Sequence, residues 1–270
     1  MIDDPSQWFA GARRVLFVHA HPDDETITTG GTLAALAEAG AAPALVTLTR
    51  GERGEVVAGP FSALQGTPAL AAHRETELAA ALFMLGVDRH AFLGTPPARA
   101  AELPPRSYAD SGMMWGPGGV AVAAPDAAAE ALTRAAAVDP LTDLLALAHA
   151  WEAGAIVSYA ADGGYGHPDH VFAHRLGRAV AHGLDLPFWE IVSPEAASAD
   201  PLLQEGCEAH DVTPWLERKT AALRAHATQL TVDGDDIVHV GGQRQAIDRI
   251  ECFRAVAPIG APAVAPEAQS

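Results

Sequence analysis

The sequence predicts an α/β fold in which a mostly parallel sheet is covered by helices on both faces. Three observations carry that expectation. Short apolar runs alternate along the chain with longer segments whose apolar residues recur at helical spacing. Polar, glycine-containing loops follow several of those runs, as they do at the carboxyl ends of strands in open α/β sheets. No internal repeat or linker interrupts the order, so 1–257 reads as a single domain and the Pro- and Ala-rich 258–270 as a frayed tail.

Val15 to Val18 is the first apolar run and predicts a strand. Ile27 to Ala39 keeps apolar or small residues at helical spacing, and Gly40 offers a stop. Ala44 to Thr49 predicts a second strand, with the polar loop Arg50 to Gly59 at its end. Thr67 to Leu85 predicts a long helix closed by Gly86, with an apolar stripe through Leu78, Leu82 and Leu85. Arg89 to Leu93 is a third, short strand. Gly94 to Pro125 then dissolves into Pro, Gly and Ser, and its Tyr108, Asp110, Met113, Met114 and Trp115 suit an ordered loop that closes on something. Helices are expected over Asp126 to Ala137 and Leu141 to Ala153, separated by Asp139-Pro140. A fourth strand, Ala155 to Tyr159, leads through the polar loop Asp162 to His170 into a helix over Val171 to His182, and Pro187 to Val192 is a fifth strand. Beyond Ser193 the pattern predicts an irregular connection, a helix around Trp215 to His226, a strand at Ile237 to Val240 and a helix at Gln243 to Phe253.

Composition narrows the partners. A net charge of -17 argues against nucleic acid and against an anionic membrane surface, because both are bound chiefly through basic patches; a small neutral or cationic substrate fits better. Met1 to Arg14 lacks the basic segment and long apolar core of a secretory signal, and the most apolar region, Leu141 to Ala161, carries Asp143, His149 and Glu152. Cys207 and Cys252 stand far apart without CxxC spacing and read as reduced cysteines of a cytoplasmic protein. Gly30-Gly31 makes no dinucleotide fingerprint, and no phosphate-binding GxxxxGK[ST] is present.

Two loops carry the chemistry. His21-Pro22-Asp23-Asp24-Glu25 follows the first strand, and Gly163-Gly164-Tyr165-Gly166-His167-Pro168-Asp169-His170 follows the fourth. Imidazole and carboxylate both bind zinc, and a catalytic zinc site needs three protein ligands and one open position. His21 and Asp24 supply two ligands and a histidine of the second loop, taken as His170, the third. Asp23 is placed to take a proton from water. His167 is placed to stabilise an oxyanion or protonate a leaving amine, with Asp169 orienting it and Tyr165 donating to the oxyanion. Two histidines and one aspartate accept zinc or ferrous iron. Glu25 reads as a bracing or capping residue, and the remaining histidines, among them His19, His90 and His226, as non-catalytic.

The pair Ala20-His21-Pro22-Asp23-Asp24-Glu25 and His167-Pro168-Asp169-His170 resembles the signature of the zinc-dependent deacetylases related to the GlcNAc-phosphatidylinositol de-N-acetylase, the LmbE-like family. The resemblance covers nearly the whole chain, with support from Gly51 to Val56, Asp110 to Met113 and Leu223 to Gln229. It implies a Rossmann-like sheet, metal ligands at His21, Asp24 and His170, a general base at Asp23, and contacts from Glu55, Arg74, Asp110 and Met113 to sugar and inositol hydroxyls. The implied reaction removes acetate from an N-acetylglucosamine conjugate, with the N-acetylglucosaminyl-inositol of mycothiol synthesis the nearest match. An amidase acting on mycothiol S-conjugates, a deacetylase of another natural-product amino sugar, and a metal- or sugar-binding module without catalysis are the other readings.

Overall fold

A computed structural model of the chain describes residues 4–116, 121–194, 207–257 and 259. The first strand, β1 (Val15–His19), is buried along its whole length and pairs in parallel with β2 (Ala44–Thr47). β2 pairs in parallel with β3 (Arg89–Phe92). The 94–125 loop contains a short antiparallel hairpin, β4 (Met113–Trp115) with β5 (Ala121–Ala123). On the other side of β1 lie β6 (Ala155–Tyr159) and β7 (Phe188–Val192), both parallel to it. β12 (Ile250–Val256) continues the sheet antiparallel to β7, and β8 (Cys207–Asp211) forms its edge. The order is therefore β3-β2-β1-β6-β7-β12-β8; β9 (Leu230–Asp233), β10 (Asp236–His239) and β11 (Arg244–Ala246) make a separate antiparallel sheet.

Period-2 alternation sends successive side chains of β1 to opposite faces. Leu16 and Val18 pack with α3 (Val138–Ala150) and α4 (Pro168–Gly183), through Leu144, Leu147, Leu176 and Val180. Val15 and Phe17 pack on the other face with α1 (Asp24–Glu38), α2 (Ala69–Leu85) and α5 (Leu216–Ala225), through Leu33, Leu36, Leu78, Leu85 and Ala222. Gly31 permits the approach of α1 to the segment after β8: a Cβ there would stand 2.4 Å from Val212 Cβ. No helix of the described residues is long and apolar enough to cross a membrane.

Two helical expectations are corrected. Asp126 to Ala137 forms only a short 3-10 turn at Leu132–Arg134, and Pro140 sits in the first turn of α3 instead of separating two helices. The alanine-rich segment gives its backbone to the long loop instead, with Ala109 N–H donating to Glu130 O and Leu132 N–H to Ala109 O. Gln243 to Phe253 is not helical either: it supplies β11 and most of β12. Phe253 and Cys252 fall in different apolar clusters, the alternation of a strand, and pairing with β7 and β8 satisfies the backbone on both sides. β8 and β9 arise where the sequence pattern showed no strand, and all but Ile259 of the 258–270 tail lies outside the described residues.

Glu251 of β12 ties the layers together. Its carboxylate accepts the Gly31 and Thr32 N–H groups of α1 at 2.9 and 2.8 Å and a proton of Lys219 Nζ at 2.8 Å. Both ionic side chains are only 1% exposed, so removing one strands a charge in the core. Lys219→Met is expected to lower unfolding free energy by about 3–5 kcal/mol, read from a reduced urea midpoint. A loss within ~0.5 kcal/mol, the range of ordinary surface substitutions, would contradict that account.

Candidate active site

Strand order puts the two polar loops together. β1 continues to β2 and β3 on one side and borders β6 and β7 on the other, so the crevice opens between the carboxyl ends of β1 and β6. The loops emerging there carry His21 to Glu25 and Asp162 to His170. They line one cavity of about 920 Å³.

The second loop turns sharply at Gly163, with φ +70°, where a Cβ would stand 2.9 Å from His170 Cβ. That close passage lets Gly163 O accept His170 Nδ1–H at 3.1 Å. With its proton on Nδ1, His170 keeps a lone pair on Nε2, a buried nitrogen without a hydrogen-bond partner, 3.3 Å from Asp24 Oδ2. His21 mirrors it. Its Nε2 lies 3.3 Å from Asp169 Oδ2 and its Nδ1 3.2 Å from the same Asp24 oxygen. Burial alone favours a neutral His21, but the Asp169 and Asp24 carboxylates outweigh it and hold the ring well above its ordinary pKa. Burial likewise opposes ionisation of Asp24, and His170 and His21 overcome it, keeping the carboxyl well below its ordinary value. Nδ1 of His21 and Nε2 of His170 thus both face Asp24 Oδ2, with the far nitrogen of each ring tied to an acceptor, and a cation bound there would displace the proton that His21 otherwise holds. This donor set fits a divalent cation.

Among the described residues, the sets whose ligand atoms all lie within 4.8 Å of one another are two others, neither with Asp24: His21, His167 and His170, and His21, Asp110 and Asp169. The first of these makes His167 a competitor of Asp24 as third ligand. His167 is, however, the N-cap of α4, with Nδ1 accepting Asp169 N–H at 3.2 Å, and burial followed by repulsion from His21 and His170 lowers its pKa to about 3.

Asp23 stands at the N-cap position of α1 without capping it. Its carboxyl lines the cavity, accepts no hydrogen bond from a described residue, and is pushed up to about 8 by burial and by Asp24, against the pull of His226 and Arg74. A carboxylate of that basicity can take a proton near neutral pH. Tyr165 is 48% exposed at the cavity mouth, and burial of its hydroxyl beside Asp24 and Asp23 keeps it protonated.

Asp169 lies elsewhere than its expected contact. Its Oδ2 faces His21 and accepts Ser111 N–H at 2.9 Å, so the carboxylate orients His21, while only its backbone N–H reaches His167. Glu55, Arg74, Asp110 and Met113 line the same cavity. Arg74 is largely committed to shaping the loop: its guanidinium donates to Gly51 O, to Glu55 O at 2.9 Å and to Thr228 Oγ1 at 3.4 Å. It does not pair with Glu77, whose carboxylate accepts Thr228 N–H and Oγ1–H, both at 2.7 Å. Asp110 accepts Gly112 N–H at 2.7 Å and reaches within 3.9 Å of His21 Nε2. The long loop holds it there through Tyr108, 1% exposed, whose hydroxyl donates to Asp143 of α3 at 2.7 Å.

Tyr159 was legible only as a strand residue. At the end of β6 its hydroxyl donates to Asp24 Oδ2 at 2.7 Å and accepts Ala20 N–H at 2.8 Å, bracing the carboxylate against the first loop. Its place just before a polar loop is the signal that marks it.

The chain is similar to known proteins both in sequence and in fold. The chain is 38% identical over 266 residues to a 1D-myo-inositol 2-acetamido-2-deoxy-alpha-D-glucopyranoside deacetylase of Kineococcus radiotolerans, a match covering 84% of this chain and 71% of the relative. A protein of the same name from Kribbella flavida is 34% identical over 293 residues, covering 93% and 94%. In fold the chain is similar to the crystal structure of the A40926 pseudoaglycone deacetylase, with a TM-score of 0.60, 19% identity and coverage of 93% and 99%. The family model described as PIG-L, GlcNAc-PI de-N-acetylase, matches residues 16–181, from the first strand through both polar loops, and the chain belongs to that family.

Proposed function

We propose that the protein is a zinc-dependent N-deacetylase that removes acetate from an N-acetylglucosamine conjugate, with N-acetylglucosaminyl-inositol as its substrate. The observation that carries this reading is the meeting of His21 Nδ1 and His170 Nε2 on Asp24 Oδ2, beside an Asp23 carboxyl that accepts no hydrogen bond from a described residue. His21, Asp24 and His170 hold the cation; zinc and ferrous iron both suit the set. When bound, the cation would supply a Lewis acid able to polarise the amide carbonyl and to lower the pKa of water to about 7.

The chain's own groups do the rest. Asp23 takes the proton of the attacking water as its oxygen bonds to the acetyl carbon. Tyr165 donates its hydroxyl proton as a hydrogen bond to the oxyanion. The C–N bond then breaks, acetate departs, and the sugar nitrogen takes the proton that Asp23 received from water, while His167, held neutral by its lowered pKa, donates a hydrogen bond to the developing oxyanion. Asp169 keeps the His21 ring in the orientation that turns Nδ1 toward Asp24. Glu55, Arg74, Asp110 and Met113 line the cavity around the sugar and inositol hydroxyls. A volume of about 920 Å³ accommodates a disaccharide-sized conjugate. The substrate is a small amino-sugar glycoside, met in the reducing cytoplasm.

The test is zinc-loaded protein offered N-acetylglucosaminyl-inositol, a mycothiol S-conjugate and a panel of other N-acetylglucosamine conjugates. Acetate release with kcat/KM at least ~10-fold higher for the inositol glycoside is expected. Release from none of them contradicts the proposal, and cleavage of the S-conjugate amide alone reassigns the site to an amidase.

A further inference from the structure

Asp23 has a backbone conformation that sets it apart. Its φ of 105° with ψ of -35° lies outside the left-handed helical region and well beyond the φ of 49–65° of the other positive-φ non-glycine residues described, Phe9, Ala10, Glu102, Glu152 and Asp185. Such a conformation costs on the order of 1–3 kcal/mol and persists only where surrounding contacts impose it. Those contacts are present. Asp23 N–H donates to Glu25 Oε2 at 3.0 Å, and Asp23 O accepts the N–H groups of Thr26 and Ile27 at 3.0 and 2.9 Å.

Glu25 is in turn held from behind. Its Oε1 lies 3.0 Å from His226 Nε2 and accepts the Thr26 hydroxyl. Gln229 Nε2–H donates to His226 Nδ1 at 3.2 Å, leaving the ring proton on Nε2, directed at Glu25. Both Glu25 and His226 are wholly buried. A buried carboxylate is costly unless each oxygen is satisfied, and one of its two oxygens is spent on the backbone of the residue proposed as base.

We infer that Glu25 and His226 are positioning residues for Asp23: the pair holds the backbone of the base in its strained conformation and thereby aims a carboxylate that no hydrogen bond from a described residue restrains. Without Glu25 Oε2 the Asp23 backbone relaxes toward an ordinary φ and swings the carboxylate. A displacement near 1 Å at a reacting group costs about 10²-fold in rate. The inference rests on Asp23 as general base.

The test compares zinc-loaded His226→Ala, His226→Gln, Glu25→Ala and Asp23→Asn in the full chain, scoring kcat, KM, bound zinc and thermal midpoint. Glutamine can return an amide N–H near the position of Nε2; alanine cannot. His226→Ala and Glu25→Ala are expected to lose about 10²-fold in kcat with KM and zinc content within ~2-fold of the parent, and His226→Gln to recover at least ~10-fold of that loss. Unchanged kcat in His226→Ala, kcat and KM changing together, no recovery in His226→Gln, or loss of fold in both His226 variants would each overturn the inference. An inactive Asp23→Asn beside an active His226→Ala overturns this inference alone. An active Asp23→Asn overturns the general-base reading, and this one with it.

Discussion

Asp23→Ala is expected to retain its zinc and lose about 10²–10⁴-fold in kcat, the span that general-base catalysis supplies. The side chain is not among the atoms that converge on Asp24, so its removal leaves His21, Asp24 and His170 in place. It does not cap α1 and accepts no hydrogen bond from a described residue, so the helix loses nothing with it. What disappears is an acceptor whose proton affinity burial and Asp24 have raised to about 8, close to the pH at which a base both exists ionised and draws a proton effectively. Asp23→Asn is the better-matched variant, because asparagine tolerates positive φ more readily than alanine and keeps the volume. Kinetics with metal analysis on both variants decide the point. Turnover within a few-fold of the parent in both would remove Asp23 from the mechanism.

The second large effect is on the metal. His170→Ala is expected to lower zinc affinity by more than about 100-fold, beyond the 10–100-fold that the loss of a supporting hydrogen bond to a ligand costs. His170 Nε2 accepts no hydrogen bond from a described residue and faces Asp24 Oδ2 at 3.3 Å, and its ring is held by Gly163 O and by stacking on Tyr159, with centroids 4.0 Å apart at 12°. Alanine therefore leaves two ligands where a catalytic zinc takes three. His167→Ala is the informative companion. His167 shares a 4.8 Å cluster with His21 and His170, yet the proposal keeps Asp24 as the third ligand, so His167→Ala should hold its zinc and lose turnover. Full zinc occupancy in His170→Ala, or loss of zinc from His167→Ala with Asp24→Ala unaffected, would redraw the ligand set.

The residues proposed to bind or react are more legible in the chain than those proposed to hold them. His21, Asp23, Asp24, His167 and His170 announce themselves because their chemical types cluster at strand ends, and all five line one cavity. Arg74 was legible as a residue of the site but not as a brace of the 51–55 loop, since a carbonyl acceptor leaves no mark in a side-chain pattern. Asp169 was paired with the wrong histidine because sequence neighbours are not the nearest acceptors once His21 arrives from 148 residues away. His226 reads from the sequence only as non-catalytic, because its partner Glu25 lies 201 residues distant and leaves no local mark of the contact.

The chain by itself determined the alternation of strands and helices from β1 to β7 and the two loops that carry donors and acids, because hydrophobic period and residue chemistry are local properties. It did not determine that Gln243 to Phe253 joins the sheet, that the alanine-rich 126–137 gives up a helix, or which nitrogen of each histidine faces Asp24. Those outcomes depend on backbone groups and carboxylates brought from distant segments. A buried N–H takes whichever acceptor the packed sheet places within reach, so helix, strand and tautomer are settled there only when the layers close.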